Sequence, residues 1–515
     1  MRLCDPLRPM PDFTDLVDLA HERLGGSALF ANDDFFASKD NLLKAAKPIF
    51  IDGKYTDRGK WMDGWESRRR RTPGHDFCIV RLGAPGIVRG LVVDTAFFRG
   101  NYPEHCSIDA CAVAGHPDAD QLLSASARWT EILAKSALVG DSQNTFAIEA
   151  QRRVTHLRLN IFPDGGVARL RVFGDVVPDA RWMGRSAGAG EIDLASVENG
   201  ASVVVCNDMF FGSRHNLIMP GRSVNMGDGW ETKRSRRAGP DWVIVALAAA
   251  GTIERVEVDT NYFKGNFPES CAIQVVHAPG AMTSELANAT WTDLLARTKL
   301  QAHTRHFFER ELAPHAPATH ARLQIFPDGG VSRLRLWGTV SREGRERFGL
   351  KRLASLFDDD LVAELKTCCG SETWARGVAS RRPFGTLDAL ATTSDEVWRA
   401  LGPKEWTEAF EAHPRIGERT AHAEQAAQAR HWSEHEQAKV TTADPKTLDA
   451  LTQGNRDYEA KFGHIFLVCA TGKSADELLA SLRARMSNDA AAEIAICADE
   501  QRKITRLRLE KLVHR

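Results

Sequence analysis

The chain repeats itself across its first two thirds, and this internal repeat limits the possible folds more than any other feature. Three segments return in the same order at an offset of 165 or 164 residues. The pairs are 62–67 with 227–232, 93–104 with 258–269, and 156–166 with 320–330. The landmark Phe35–Phe36 returns as Phe210–Phe211 at an offset of 175, so the first copy has ten more residues, around 51–60. Two domains of one fold follow.

Each copy contains short apolar segments rich in branched residues, which predict β-strands. In the first copy we expect strands at 77–82 and 90–95, separated by a tight glycine-containing turn. The segments on either side of Pro163–Gly166 alternate apolar with polar residues, which predicts a β-hairpin. Many short strands with few helical periods indicate a jelly-roll-like β-sandwich in each copy.

The pattern changes to helical periodicity from about Glu346. Four long helices are expected at 423–440, 445–462, 475–486 and 489–512. A chain of 515 residues is also too long for one core. The sequence therefore predicts a multidomain protein, with two tandem all-β jelly-roll-like sandwiches at 15–185 and 186–342 and an all-α helical domain at 347–515.

Charge and motifs exclude several classes of protein. The chain has 67 Lys and Arg against 68 Asp and Glu, so no nucleic-acid partner is indicated. The ten cysteines form no CxxC motif, which is typical of reduced thiols in a cytoplasmic protein. No apolar run approaches the ~18 residues of a membrane span. No metal-ligand spacing or phosphate-binding loop occurs, so we expect no metal and no cofactor. We also expect a homo-oligomer that acts on small molecules.

Polar residues that recur at predicted strand ends are the candidates for a site in the repeats, because sandwiches carry their sites on loops. They are Asp63, Glu66, Asp94, Asn101 and Glu104 in the first copy, and Asp228, Glu231, Asp259, Asn266 and Glu269 in the second. Arg68, in the arginine run after Glu66, could clamp a carboxylate with two hydrogen bonds.

Simpler explanations exist for several recurring residues. Asp63 and Asp228 precede glycine and could only shape turns. The tryptophans Trp65 and Trp230 are more typical of a core than of a catalytic site. The strand histidines His156 and His320 are expected to be packed and hydrogen-bonded. His75 is replaced by Pro240 in the second copy, so any role of His75 is not shared.

The recurring elements together resemble the allantoicase family over roughly residues 15–340. They are DGWE with its arginines, DT-x-[FY]-F-[KR]-GN-[FY]-P-E, and H-x-R-L-x-I-F-PDGG-V-x-R-L-R. The resemblance implies a hydrolase that converts allantoate, a carboxylate flanked by two ureido groups, to (S)-ureidoglycolate and urea. It implies catalytic roles for Asp63 and Glu66 and substrate binding by Arg68, Asp228 and Glu231, while the catalytic copy stays open.

The helical part contains a compact candidate for acid/base chemistry. His413-Pro414-Arg415-Ile416-Gly417 precedes Ser433-Glu434-His435-Glu436-Gln437 by twenty residues. A histidine held by proline at a segment break, with a carboxylate from a helix, suits proton transfer. Alternatively, His413 and Ser433 only cap helices.

These motifs, with Cys368–Ser371, Arg382–Pro383, Asn455 with Tyr458, Phe462–Phe466 and Arg508–Leu509, resemble the 2-oxo-4-hydroxy-4-carboxy-5-ureidoimidazoline (OHCU) decarboxylase family from about residue 350 to 515. The resemblance implies that OHCU loses CO2 to give (S)-allantoin without a cofactor. His413 and Glu436 would carry the acid/base work and Arg508 would bind an anionic oxygen. The implied substrate-binding residues are Pro414, Ser433, Gln437, Phe462, Phe466 and Val468.

Two features of the helical part bear on the assignment of its site residues. Arg485 and Arg506 also lie on neighbouring predicted helices, and His464 stands where many family members carry an apolar aromatic residue. Two other functions stay open. The repeats could be ligand- or carbohydrate-binding sandwiches tethered to an active OHCU decarboxylase, and the helical domain could be an interaction scaffold.

Overall fold

A computed structural model describes residues 13–179, 190–235, 239–413 and 444–514. The chain divides into two compact units, the first ending at Gly344 and the second beginning at Arg345. The first unit contains both repeats and is built of β-strands, whereas the second is helical. The predicted fold class, two β-sandwiches followed by an all-α region, is confirmed.

The strands of repeat 1 are β1 (Val17–Asp18), β2 (Ser27–Ala31), β3 (Tyr55–Thr56), β4 (Gly59–Lys60), β5 (Trp65–Glu66), β6 (Asp76–Asp94), β7 (His105–Cys111), β8 (Thr130–Ala137), β9 (Gln143–Ala147), β10 (Arg153–Phe162), β11 (Gly166–Val167) and β12 (Arg169–Val176). Those of repeat 2 are β13 (Ile192–Asp193), β14 (Ser202–Cys206), β15 (Trp230–Glu231), β16 (Asp241–Asp259), β17 (Ser270–Val276), β18 (Thr292–Lys299), β19 (Arg305–Phe308), β20 (Ala318–Phe326), β21 (Gly330–Val331) and β22 (Arg333–Val340). Each repeat also has one short α-helix among its described residues, α1 (Ala119–Leu123) and α2 (Thr283–Ala287).

One long strand organises each sandwich. The first half of β6 lies between β2 and β10, and its second half lies between β9 and β12. Strand β16 does the same in repeat 2, between β14 and β20 and then between β19 and β22. The prediction of two short strands with a tight turn between them is therefore wrong, because one continuous strand, Asp76–Asp94, spans both segments.

Glycine makes the bend of this strand possible. A Cβ at Gly86 would lie 2.4 Å from the carbonyl oxygen of Asp175 on β12. A Cβ at the equivalent Gly251 would lie 2.5 Å from the carbonyl oxygen of Thr339 on β22. Only a residue without a side chain permits these close approaches. The glycines that suggested a turn thus mark a bend with tight packing.

The predicted hairpin around Pro163–Gly166 is also wrong in its pairing. Strands β10 and β12 pair with opposite halves of β6 and not with each other. The residues between them form β11, which pairs with β5 through Gly166 opposite Glu66. The alternating pattern identified both strands, but the partner is non-local and a turn signal does not specify it. The turn at Pro163–Gly166 therefore lies beside Trp65 and Glu66.

The ten extra residues of repeat 1 form a small hairpin. Strand β3 pairs with β4, with Tyr55 opposite Lys60. Arg58 Nη1 donates to the carbonyl of Phe35 at 3.0 Å, and the Lys60 ammonium lies 4.6 Å from the Phe50 ring centroid. Repeat 2 has a 3₁₀ turn at the corresponding place, Met226–Asp228. The hairpin therefore adds a wall beside Glu66 in repeat 1 alone.

The recurring tryptophans and histidines belong to the cores, as predicted. Trp65 and Trp230 are fully buried, and each indole N–H donates to a backbone carbonyl at 2.8 Å. His156 Nδ1 lies 2.8 Å from Thr155 Oγ1, and burial lowers the pKa of His156 from 6.5 to about 4. His320 has the equivalent environment, and burial lowers its pKa to about 4 as well. Both histidines are neutral packing residues at neutral pH.

The described helices of the second unit are α3 (Arg342–Ser355, which begins before the boundary), α4 (Asp358–Lys366), α5 (Glu372–Ala379), α6 (Leu387–Arg399), α7 (Pro403–Glu411), α8 (Pro445–Phe462), α9 (Ala475–Arg485) and α10 (Ala490–Val513). They surround one core that includes Trp374, Phe410 and Tyr458. Helices α8 to α10 agree with the predicted ranges to within one residue. The helix predicted at 423–440 lies outside the described residues.

The described helices include none with the length and apolar composition required for a membrane span. In the described ranges, no group of three or more potential metal ligands converges. The cysteines at positions 78, 106, 111, 206, 271, 368, 369, 469 and 497 are free thiols.

Candidate functional site

A glutamate and an asparagine form the same pair in both repeats. Asn101 Nδ2 donates to Glu66 Oε1 at 2.7 Å, and Asn266 Nδ2 donates to Glu231 Oε1. Each glutamate lies on a short strand that pairs with a second short strand, β5 with β11 in repeat 1 and β15 with β21 in repeat 2. Glu66 is partly buried, which raises the pKa of its carboxyl, although the Asn101 hydrogen bond opposes the shift. A carboxyl with a raised pKa suits proton donation near neutral pH.

Asp63 and Asp228 are held in buried ion pairs with strand arginines. Arg169 Nη2 donates to Asp63 Oδ2 at 2.7 Å, and Nη1 donates to the Asp63 carbonyl at 2.9 Å. Arg333 binds Asp228 in the same way, with Nη2 to Oδ2 at 3.0 Å. Burial alone would raise the pKa of Asp63, but the Arg169 hydrogen bond and the Ile49 N–H outweigh it and leave that pKa below its usual range. These contacts favour an anchoring role.

Arg68 is largely exposed, and one edge of its guanidinium is hydrogen-bonded to Asp33. Its Nε donates to Asp33 Oδ2 at 2.7 Å, and its backbone N–H donates to Asp33 Oδ1 at 3.0 Å. The guanidinium lies over the Phe35 ring at 5.1 Å, as does that of Arg58 from the β3–β4 hairpin. The backbone N–H of the next residue, Phe36, donates to the Glu66 carbonyl at 3.1 Å. Arginines and aromatic rings therefore lie beside Glu66.

His413 immediately follows α7 in the helical unit and is 7% exposed. Its backbone N–H donates to the Phe410 carbonyl at 3.0 Å, so it lies on the last turn leaving the helix. Pro414, Ser433, Glu436 and Gln437 lie outside the described residues. The pairing of His413 with Glu436 therefore stays a prediction.

The three candidate arginines of the helical unit differ in their partners. Arg485 binds Glu493, with Nε to Oε1 at 2.7 Å. Arg506 binds Asp395, with Nη2 to Oδ2 at 2.9 Å. Arg508 is 3% exposed, and its positive charge acts on the buried thiols of Cys368 and Cys369. The assignment of an anionic substrate oxygen to Arg508 stays a prediction.

Family models match most of the chain. The model described as the allantoicase repeat matches residues 17–177 and 192–341. A probable allantoicase of Burkholderia mallei is 49% identical over 64% of this chain and 97% of that protein. The crystal structure of the Saccharomyces cerevisiae allantoicase is 36% identical, covers 62% of this chain and 92% of that chain, and has a TM-score of 0.53. This chain belongs to the allantoicase family.

An OHCU decarboxylase domain follows the allantoicase repeats, since the model of that name matches residues 354–510. A crystal structure of OHCU decarboxylase in the presence of (S)-allantoin is 34% identical, covering 30% of this chain and 98% of that chain with a TM-score of 0.26.

The two allantoicase repeats differ in the cation beside the anchoring aspartate. Lys44 Nζ lies 3.4 Å from Asp63 Oδ1 within repeat 1. Met219 occupies the corresponding position in repeat 2. There Arg23, from repeat 1, binds Asp228 Oδ1 instead. The second cation of the repeat 2 loop is thus supplied by the first repeat, which sequence comparison of the copies could not reveal.

A buried polar cluster in the OHCU decarboxylase domain also escaped the sequence analysis. Tyr458, Arg485, Glu493 and Cys497, which we call the Arg485 cluster, lie within hydrogen-bonding distance of one another behind the segment 463–470. The one available signal was a charged pair, Arg485 and Glu493, within otherwise core-forming helices.

Proposed function

We propose that the chain is a bifunctional enzyme of ureide catabolism. Its repeats hydrolyse allantoate to (S)-ureidoglycolate and urea, and its helical domain decarboxylates OHCU to (S)-allantoin. The observation that carries the proposal is the presence, on one chain, of both allantoicase repeats and an OHCU decarboxylase domain. Both reactions act on ureides. The decarboxylation produces (S)-allantoin, and the hydrolysis consumes allantoate.

For the hydrolysis, we assign the acid to Glu66 of repeat 1. Urea would leave the central carbon of allantoate with a proton from Glu66, and water would add to the same carbon. The raised pKa of Glu66 and the Asn101 hydrogen bond support this role. The amide and carboxyl also match the acceptors and donors of a ureido group.

Recognition of the allantoate carboxylate would fall to the cations beside Glu66. Arg68 is 62% exposed on its side chain, and Asp33 fixes its orientation through Nε. The β3–β4 hairpin adds Arg58 next to it, a cation that repeat 2 lacks. We therefore favour repeat 1 as the hydrolytic copy. In repeat 2, Glu231 would bind substrate, while Asp228, which was expected to bind substrate, is buried against Arg333 and would anchor its loop.

For the decarboxylation, His413 and Glu436 would exchange the proton and Arg508 would hold an anionic oxygen. The ring C=N of OHCU accepts the electrons left by CO2, so the residues only need to orient the carboxylate and deliver a proton. Ser433 and Gln437 would bind ring and ureido amides, while Pro414, Phe462, Phe466 and Val468 would line the pocket. The burial of His413 and Arg508 at 7% and 3% exposure supports a water-poor site.

A two-substrate assay of the purified full chain tests the proposal. We expect urea from allantoate and (S)-allantoin from OHCU generated freshly from urate, followed by circular dichroism. His413→Ala should lower decarboxylation by about 100-fold or more, as for loss of a general acid or base, and leave urea release unchanged. Unchanged decarboxylation would remove this histidine from the mechanism.

The alternative is a pair of ligand-binding sandwiches attached to the decarboxylase. Such modules would bind allantoate and release no urea, so the same assay separates the two. We also propose a cytoplasmic location, which the free thiols of the described cysteines support. Homo-oligomerisation remains an expectation that sedimentation of the full chain would test.

A further inference from the structure

The segment 463–470 crosses the helical unit without regular structure and is nevertheless buried. Phe466, Leu467 and Val468 are 2%, 4% and 5% exposed. Buried peptide groups outside helices and sheets need other partners. Arg485 Nη1 donates to the Leu467 carbonyl at 2.9 Å. The Leu467 peptide is therefore held through its carbonyl by the Arg485 cluster.

The cluster itself is rigidly held. Arg485 Nε lies 2.7 Å from Glu493 Oε1, which also accepts from the Tyr458 hydroxyl. Asn488 Nδ2 donates to the second oxygen of Glu493 at 2.7 Å. Arg485 Nη2 lies 3.0 Å from Cys497 Sγ. Glu493 is fully buried, and these donors satisfy its carboxylate oxygens.

Arg485 uses its planar guanidinium to serve several acceptors at once. One edge faces Glu493, one terminal nitrogen reaches the Leu467 carbonyl, and the plane lies 4.7 Å from the Phe466 ring centroid. Burial raises the pKa of Cys497, but hydrogen bonds from His464 and Tyr458 and the charge of Arg485 outweigh it, so that pKa lies below its usual range. A lysine could not reproduce this geometry.

The same segment contacts the element that carries His413. The Phe410 and His464 rings lie 5.6 Å apart, and His413 follows Phe410 by three residues. Within the described ranges, the backbone N–H groups of Phe466 and Val468 donate to no protein group. These two buried amides flank the residue whose carbonyl Arg485 holds, and they are available to a ligand.

We propose that Arg485 is a positioning residue for the decarboxylation: it fixes the Leu467 peptide and thereby aims the Phe466 and Val468 amides at the ureide substrate. This inference rests on the proposed decarboxylase function. It gives the cluster a role in substrate binding in addition to its contribution to the core.

Arg485→Lys in the full chain tests the inference. We expect the KM for OHCU to rise by about 10-fold or more, because small displacements of binding groups are costly, with a smaller change in kcat. Glu493→Gln, which keeps the shape but removes the charge that orients Arg485, should shift KM in the same direction. Urea release from allantoate by the same polypeptide serves as an internal control for the amount of intact enzyme in each sample.

Arg506→Lys is the matched control, because Arg506, on α10, also pairs with a carboxylate, that of Asp395 on α6, and makes no described contact with the segment 463–470. It should leave KM for OHCU at the wild-type value. Wild-type KM in both Arg485→Lys and Glu493→Gln would overturn the inference, as would an equal KM rise in Arg506→Lys. A wild-type chain without decarboxylation would instead refute the proposed function itself.

Discussion

Asp63 and Glu66 are three residues apart, yet their environments give them different chemistry. Asp63 is 8% exposed and ion-paired with Arg169, which is 1% exposed. Glu66 has an amide partner and a raised pKa. The sequence predicted both positions as candidates, because the motif recurs at a strand end. It could not separate their roles, since Arg169 lies 106 positions further along the chain.

Neutralising each carboxylate should therefore have a different effect. Asp63→Asn leaves the Arg169 guanidinium buried without its counterion and should cost about 3–5 kcal/mol of stability. Glu66→Gln should retain the wild-type Tm and lower kcat for urea release by at least ~10-fold. Calorimetry and a urea assay on the same samples distinguish the two. A wild-type rate in Glu66→Gln would exclude it as the acid.

The elements show which parts of the fold a sequence can specify. Helices α8 to α10 were predicted closely because their periodicity and caps are local, with Asp489 capping α10 through the Ala492 N–H at 2.8 Å. The long strands β6 and β16 were divided wrongly, because their interior glycines serve contacts with strands far along the chain. Local patterns give strand positions, whereas pairing depends on partners that propensity does not encode.

Gly86→Ala should expose the cost of that close approach. The new Cβ would meet the Asp175 carbonyl at 2.4 Å, and backbone displacement of this kind typically costs about 1–3 kcal/mol. Thermal inactivation of urea release should occur at a lower temperature. Gly100→Ala is the control, because a Cβ there meets nothing within 4 Å and the Tm should stay unchanged. Equal Tm values would show that β6 can shift without cost.

On the scale of the molecule, several buried groups of the β unit make its stability depend on pH. Burial lowers the pKa of four histidines in the β unit from the usual 6.5 to about 4: His21, His156, His215 and His320. Asp18 opposes them, because burial raises its pKa to about 6. Four histidines stand against this one aspartate, and the pKa of each histidine is shifted downward.

The β unit should consequently lose stability in mild acid. Its histidines are neutral when folded and take up protons on unfolding between pH 6.5 and about 4, so the free energy of unfolding decreases as pH falls through that window. Thermal inactivation of urea release should shift to lower temperature from pH 7 to pH 5. His320→Asn should reduce the shift, and an unchanged pH response would contradict the role of His320.

The ion pair between Arg23 and Asp228 has a consequence for how the duplicated halves can evolve. Met219 stands where the first copy has Lys44, so the second copy relies on the first for the second cation beside the buried Asp228 carboxylate. Excision of the first copy would strand Asp228 with Arg333 alone. The two repeats therefore cannot be separated without loss of this ion pair.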